Sequence, residues 1–354
     1  MQKILLIGLT ALISSSSKAQ TPEPKQITGT DENLEYSINA GKSVYAMAVS
    51  PDGETLVYSK RSEVVFVNFE NGKLIKEIDV SGLTKTFAQR DKIKPYFGYI
   101  RALDYTRDGK KLAIGFVGGL VLIDIKNPAI IWYCKGVGKN QGIDSATAVY
   151  DVKCSATHVY ASSGEDGSLY CWNLADGSLH SKFTTSFKGI ENFDITHADD
   201  NLKIIISGLS GLEYYKSTGE KIWEKKSRSG GGVMSISPND SLLAFGTANF
   251  GSTVFILNLS NPDKSVNLGP AGDRSPGGVA WSLFKKSVYS CCIGMGNAPV
   301  MQYSVVKNET VRTEITKDFD AEPDCNNSCV VGGAGFLLAV AGKNKMINVY
   351  KIER

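Results

Sequence analysis

The stretch that decides the fold runs from Val44 to Asp79 and reads VYAMAVSPDGETLVYSKRSEVVFVNFENGKLIKEID. It contains four short apolar runs separated by turns rich in Gly, Asp and Asn, namely Val44–Val49, Thr55–Ser59, Val64–Phe69 and Leu74–Ile78. Runs of this length that are rich in β-branched and aromatic residues are typical of β-strands. In the first run both alternating faces are apolar, which indicates a sheet covered on both sides.

The same pattern returns along the chain. The turn after the first strand recurs at intervals of 40 to 56 residues, at Ser50, Thr106, Ser155, His197, Ser237, Ser282 and Val331. A repeat of about 40 to 50 residues built from four short strands is typical of a β-propeller blade. We therefore predict an all-β fold, a single seven-bladed β-propeller that occupies residues 32–354.

The two ends of the repeat complement each other. The last unit has three strand-like runs, near Ser328–Val331, Phe336–Ala341 and Met346–Ile352, and no fourth one before Arg354. A lone alternating segment, Leu34, Tyr36 and Ile38, precedes the first unit. If this segment supplies the outer strand of the last blade, the ring closes without an open sheet edge. The alternative is that it belongs to a disordered tail.

The first 19 residues have the pattern of a secretory signal. Met1-Gln2-Lys3 is followed by an uncharged apolar run from Ile4 to Ile13 and by small residues up to Ala19. A basic start, a short apolar core and small residues before a cleavage point are typical of export signals. We expect a signal peptide at 1–19, a flexible segment at 20–31 and a secreted or periplasmic protein. The alternative is a buried strand at a cytoplasmic N-terminus.

Charge and hydropathy exclude two classes of partner. Removal of residues 1–19 takes away Lys3 and Lys18, which leaves 37 basic and 36 acidic residues and a net charge of +1. Nucleic-acid-binding domains are usually strongly basic, so we expect no nucleic acid partner. No apolar run reaches the roughly 20 residues of a membrane span, so no transmembrane segment is expected. The oligomeric state cannot be read from these features.

Two stretches carry a family resemblance. They are VSPDGETL at 49–56 and SGEDGSLYCWN at 163–173, and they resemble the WD-repeat family. The likeness covers nearly the whole chain after residue 19, and it implies the propeller fold. The Gly-His pair of that family is missing, and its Trp-Asp ending survives only as Trp172-Asn173.

A second resemblance points to a different activity. GLEYYKSTGEKIW at 211–223 resembles the blade motif of the quinoprotein propellers, in which a Thr-Gly turn precedes a Trp that docks onto the next blade. That family includes exported dehydrogenases and non-catalytic assembly factors, and the adjacent Cys291-Cys292 is similar to the vicinal disulfide of some of those enzymes. Only one such Trp repeat stands out, and alternation along a strand would turn the two cysteines to opposite faces as buried thiols.

No motif announces catalysis or a resident cofactor. The chain has no Gly-x-Ser-x-Gly elbow, its three His are scattered, and its Cys and His lack the clustered spacing of metal sites. Cys325 and Cys329 are close enough in sequence to bridge a loop in an oxidising compartment. A site assembled from residues of several blades would carry no local motif.

Binding residues are expected on the links between blades, which a rigid scaffold presents on one face. The longest link, Ser81 to Tyr99, is both basic and aromatic, and a further basic link follows the fourth unit. The candidate residues are Lys85, Phe87, Arg90, Lys92, Lys94, Tyr96, Phe97 and Arg228. Arg and aromatic residues are enriched at interface hot spots, and basic groups steer acidic partners. The alternative is a solvated loop whose aromatics cover a blade edge.

These observations favour an exported, non-catalytic propeller that binds a protein or an anionic polymer through its interblade loops. The leading alternative is an exported quinoprotein-type oxidoreductase with its cofactor at the propeller channel.

Overall fold

The structure is a computed structural model that describes part of the chain. The described residues are 25–27, 33–90, 98–135, 148–163, 166–190, 192–226, 232–247, 253–270, 276–282, 287–292, 300–306, 309–316, 321, 325, 328–333 and 335–352. They form seven sheets and one helix.

The strands follow the repeat read from the sequence. Two strands precede the first blade, β1 (Lys25–Ile27) and β2 (Leu34–Asn39). Blade one consists of β3 (Met47–Val49), β4 (Thr55–Lys60), β5 (Glu63–Asn68) and β6 (Leu74–Asp79). Blade two consists of β7 (Ile100–Tyr105), β8 (Lys111–Phe116), β9 (Gly119–Asp124) and β10 (Ala129–Lys135). Blade three consists of β11 (Val149–Cys154), β12 (His158–Ser163), β13 (Ser168–Asn173) and β14 (Leu179–Thr184).

Blades four to seven continue in the same order. Blade four consists of β15 (Asn192–Ile195), β16 (Lys203–Gly208), β17 (Gly211–Lys216) and β18 (Lys221–Lys226), and blade five of β19 (Met234–Ile236), β20 (Leu242–Gly246), β21 (Thr253–Asn258) and β22 (Asn261–Pro270). Blade six consists of β23 (Pro276–Trp281), β24 (Ser287–Cys292), β25 (Val300–Val306) and β26 (Glu309–Thr316). Blade seven consists of β27 (Cys329–Gly332), β28 (Leu337–Ala341) and β29 (Met346–Lys351), with β2 as its outer strand.

The first strands of the blades form the inner wall of a closed ring. Each contacts the first strand of the next blade, and β27 of blade seven contacts β3 of blade one. Seven clusters of buried apolar side chains lie among the described residues, one at each junction between neighbouring blades. Every sheet is therefore covered on both faces, as the apolar alternation of the first run indicates.

The predicted closure of the ring is confirmed. β2 pairs antiparallel with β29, with Ile38 opposite Ile347, and so completes the fourth strand of blade seven. The pairing leaves the phenol of Tyr36 against blade one, where its hydroxyl donates to the carbonyl of Phe69 at 2.5 Å. Strand β2 therefore completes blade seven and also connects it to blade one.

A hydrogen bond of the same kind recurs between other blades. A side chain on the outer strand donates to the carbonyl just after the third strand of the next blade: Lys76 to Ile125, Trp132 to Leu174 at 3.1 Å, and Trp223 to Leu259 at 2.9 Å. The docking of Trp223 that the quinoprotein resemblance implies is confirmed. Trp132 docks in the same way, although the residues around it do not match that motif.

Two elements were not expected from the sequence. The link between blades one and two begins with α1 (Val80–Arg90) rather than an open loop. Its signals are local: Asp79 accepts hydrogen bonds from the amide and hydroxyl of Ser81 as an N-cap, and Val80, Leu83 and Thr84 share one buried or partly buried face. The other element is β1, which adds a fifth, parallel strand beyond β26 within the segment expected to be flexible.

The docked aromatics make a sharp test of blade packing. Gly177 and Gly41 both have left-handed backbones, with φ of 71° and 70°. A Cβ at Gly177 would lie 2.6 Å from Trp132 Cγ, whereas a Cβ at Gly41 would meet nothing within 4 Å. Both Ala substitutions carry the backbone cost of about 1–2 kcal/mol. We expect Gly177→Ala to lower the free energy of unfolding by about 1–3 kcal/mol more than Gly41→Ala, measured by urea denaturation. Equal losses would contradict the docking of Trp132.

Candidate functional site

The links between blades and the turns between second and third strands lie on one face, here the upper face, because strands alternate in direction within each blade. It carries α1, the link at Gly41 and the turns at Arg61 and Lys345. Turns between first and second strands lie on the opposite, lower face. There the Asp52 carboxylate accepts a hydrogen bond from the backbone amide of Glu54.

Three of the eight predicted binding residues lie in the part of the chain that the structure describes. Lys85 is exposed on α1, while Phe87 is partly buried with its ring 6.4 Å from that of Tyr133. Phe87 therefore packs against blade two. Arg90 is the last residue of the helix. Outside the described residues lie the other candidates, Lys92, Lys94, Tyr96, Phe97 and Arg228.

A row of aromatic and basic side chains lies on the upper face, where the inner strands of blades one to three begin. The rings of Tyr45 and Tyr99 stack with centroids 5.4 Å apart and planes 11° apart, and the guanidinium of Arg101 lies 4.8 Å from the centre of the Tyr150 ring. Tyr99 is 48% exposed and Tyr150 is 37% exposed. We call these four residues the upper aromatic row. Sequence reasoning missed it because strand alternation alone does not show which strand starts meet at one rim.

The inner strands also enclose a central cavity of about 250 Å³. One position per blade, near the end of its first strand, belongs to a ring that sequence reasoning could not assemble, and every member except Asp194 lines the cavity. In blade order the ring reads Ala48, Asp104, Lys153, Asp194, Ser235, Ala280 and Val330. Charged side chains thus occupy three neighbouring blades, and small or apolar ones occupy the other four.

The aspartates of the ring join neighbouring inner strands. Asp104 Oδ2 accepts the amide of Cys154 at 2.6 Å, and Asp194 Oδ2 accepts the amide of Ile236 at 2.8 Å. Asp151 lies on β11 two residues before Lys153, and its carboxylate accepts a hydrogen bond from the amide of Phe193 at 3.4 Å. These bonds hold blades two to five together at the cavity wall.

The three carboxylates share one cation. Lys153 lies among them, with its Nζ 3.9 Å from Asp194 Oδ1. Burial raises the pKa of Asp104 to about 7, although Lys153 and the amide of Cys154 oppose the shift. Burial also raises the pKa of Asp151. Burial would lower the pKa of Lys153, but Asp151, Asp194 and Asp104 outweigh it and raise that pKa, so the ammonium stays charged.

Turn residues bridge several blades at the lower end of the cavity. Arg107 of blade two pairs with Asp199 of blade four at 2.9 Å and donates to the carbonyls of Thr196 and His197. His197 Nδ1 lies 2.7 Å from Asp240 Oδ1 of blade five. The remaining histidines, His158 and His180, meet on blade three with ring centroids 4.4 Å apart, away from the cavity.

All seven cysteines lie in the described part of the chain, and all seven are thiols there. Cys325 packs in the cluster between blades seven and one, whereas Cys329 packs between blades six and seven, and both are thiols in this structure. Cys291 and Cys292 are buried in different clusters on opposite faces of β24, as strand alternation predicts. They do not form a vicinal disulfide in this structure.

Two negative findings apply to the described residues. Among them, no three His, Cys, Asp or Glu side chains are grouped to hold a metal ion. No helix within the described ranges is long and apolar enough to cross a membrane.

Comparison with known proteins matches the fold alone. No protein-family model matches the chain, and no curated protein is similar to it in sequence. Among solved structures, it is similar to a chain of the mitotic checkpoint complex, with 12% identity and a TM-score of 0.69 over 100% of this chain and 99% of that one. It is also similar to a chain of hydrazine synthase from Kuenenia stuttgartiensis, with 14% identity and a TM-score of 0.66 over 88% and 96%.

The raised pKa of Asp104 predicts a pH dependence of stability. The folded protein holds this proton more tightly than the unfolded chain, whose Asp pKa is about 3.9. The stabilisation is therefore complete below about pH 4 and is lost as the pH rises to about 7, by about 1.4 kcal/mol for each unit between the two pKa values. Urea denaturation at pH 5 and pH 7.5 should show this fall for the parent protein. Asp104→Asn should reduce it, and an unchanged fall would contradict the assignment.

The position of Lys153 among carboxylates predicts a large effect of its removal. Lys153→Met leaves three aspartates without a nearby cation, and we expect the free energy of unfolding at pH 7.5 to fall by about 2–4 kcal/mol. Adding Asp104→Asn removes one of the negative charges and should restore part of the loss. Additive losses in this double-variant cycle would show that the two groups do not interact.

Proposed function

We propose that this chain, a seven-bladed propeller with a WD-repeat-like fold, is an exported, non-catalytic platform that binds a protein or an anionic polymer through its upper face. The observation that carries the proposal is the upper aromatic row. Tyr99 and Tyr150 keep large exposed surfaces although each is already held by a neighbour, Tyr45 or Arg101. Rings fixed in this way lose little side-chain entropy when a partner covers them.

Charge on the upper face supports an acidic partner. Arg61 and Lys345 are exposed in the turns of blades one and seven, and Lys85 is exposed on α1. None of the three has an ion-pair partner among the described residues. In the sequence, Lys92 and Lys94 follow α1 on the same link between blades one and two. Basic groups around an aromatic centre steer an acidic partner while the rings supply contact area.

Two further observations support the remaining parts of the proposal. The signal-like residues 1–19 favour export. The similar chain of the mitotic checkpoint complex has this fold within a protein assembly, which favours a protein partner. Three described carboxylates of the lower turns have structural roles, since Asp52 and Asp108 bond their own turns and Asp240 bonds His197 of the neighbouring blade.

The test is partner capture in the native compartment, by crosslinking in cells and mass spectrometry. Four tagged proteins are compared. They are the parent, the double variant Tyr99→Ala/Tyr150→Ala, the triple variant Arg90→Glu/Lys92→Glu/Lys94→Glu, and a control. The control is Leu179→Ala with Ile222→Ala, which removes exposed apolar surface from the outer strands of blades three and four.

We expect the parent and the control to capture the same partner. Both upper-face variants should reduce recovery about tenfold or more, since hot-spot residues contribute roughly 2 kcal/mol or more. A partner that both upper-face variants retain would refute binding at this face. Recovery of no partner by the parent would refute the platform itself.

A further inference from the structure

The central cavity has two chemically different walls. Blades two to four supply Asp104, Asp151, Lys153 and Asn192. The remaining blades supply an almost wholly apolar wall, made of Met47, Met234, Val279, Ala280, Trp281 and Val330. The indole N–H of Trp281 is already bonded to the carbonyl of Ser235 at 2.7 Å, so this wall offers packing surface rather than hydrogen bonds. A ligand that fits both walls has a polar end and a short apolar part.

One carboxylate oxygen in the charged wall has no hydrogen-bond donor among the described residues. Asp151 uses both oxygens, for the amides of Val152 and Phe193. Asp194 also uses both, for the amides of Ile195 and Ile236. Asp104 uses only Oδ2, which leaves Oδ1 at the cavity. Asp104 is partly buried, so Oδ1 is an acceptor that stays open to the cavity and can take a hydrogen bond from a ligand.

The charges show which kind of donor fits. Three carboxylates face one ammonium, that of Lys153, which is too far from Asp194 at 3.9 Å to make a hydrogen bond. The excess is negative, and closely placed carboxylates do not all ionise together. A proton on Asp104 relieves this repulsion in the empty site, consistent with its pKa of about 7. A bound cation would relieve it instead of the proton.

We propose that the central cavity binds a small primary ammonium ion with a short apolar chain. Its N–H groups would donate to Asp104 Oδ1, and its chain would lie against Trp281 and the methionines Met47 and Met234. A divalent metal ion fits less well, because the amides of Val152, Phe193, Ile195 and Ile236 already take the oxygens of Asp151 and Asp194. This site is separate from the upper face and does not depend on the proposed platform function.

The probe is n-butylammonium, with n-butanol and butyrate as uncharged and anionic controls of the same chain length. Binding is followed by calorimetry and by the fluorescence of tryptophan, because Trp281 lines the cavity. We expect n-butylammonium to bind at pH 8 and the two controls to bind at least tenfold more weakly. Equal binding of butanol or butyrate would overturn the proposal.

Proton linkage gives a second, independent readout. If the cation replaces the proton of Asp104, affinity should fall about tenfold per pH unit below the pKa of that carboxyl. Calorimetry at pH 6.5 in two buffers of different ionisation enthalpy should then show proton release on binding. Binding of n-butylammonium without proton release would overturn the role of Asp104.

Variants separate the site from general effects on folding. Asp104→Asn keeps an oxygen for the amide of Cys154 but should bind n-butylammonium at least tenfold more weakly. Asp176→Asn removes the same charge from a lower-face turn and should bind as the parent does. Ala280→Leu fills the apolar wall without a change of charge and should also block binding. Unchanged binding by Asp104→Asn or by Ala280→Leu would refute this site, while Tyr99→Ala with Tyr150→Ala should leave it intact.

Discussion

The backbone pairing of β2 with β29 is the constraint on which the rest of the structure depends. It joins residues 311 positions apart, as in the hydrogen bond from Ser37 to Asn348. A propeller blade is apolar on both faces, so each sheet can be covered only by its two neighbours, and an open ring would expose two whole sheet faces to water. Closure by one short strand covers the last junction, and Tyr36 extends that strand's contact to blade one.

Closure of the ring also creates two surfaces, the wall of the central cavity and the upper rim. When the first strands meet around one axis, side chains that lie far apart in the chain become neighbours, as Asp104 and Lys153 do at the cavity. The same geometry brings the starts of those strands together at the upper rim, where Tyr99 stacks on Tyr45 and Arg101 lies on Tyr150. The two surfaces differ in chemistry: the rim is aromatic and basic, and the cavity is acidic on one side. The partner proposed for the rim and the ligand proposed for the cavity would therefore not compete.

In the charged wall, groups that hold the fold together lie beside the site proposed to bind a ligand. The aspartates of the inner strands fasten blade to blade through backbone amides, which is a sufficient structural reason for Asp151 and Asp194. It is not sufficient for Asp104, because only one of its oxygens accepts a hydrogen bond from the described residues and burial raises the pKa of this carboxyl. The difference between these residues lies in hydrogen bonds that form only after the blades have assembled.

The sequence by itself determined the seven units, the four-strand order within them and the missing outer strand, because turn residues and strand-length runs are local signals. It also placed Lys85 and Phe87 on an interblade link, although it gave no sign that Phe87 would pack against Tyr133. It missed α1, whose cap and amphipathic spacing were present but stood in a stretch read as a loop. Only the tertiary structure decided the inner ring of Asp104, Lys153 and Asp194. Residues from separate blades meet there through ring closure, and no local pattern encodes which of them will face one another.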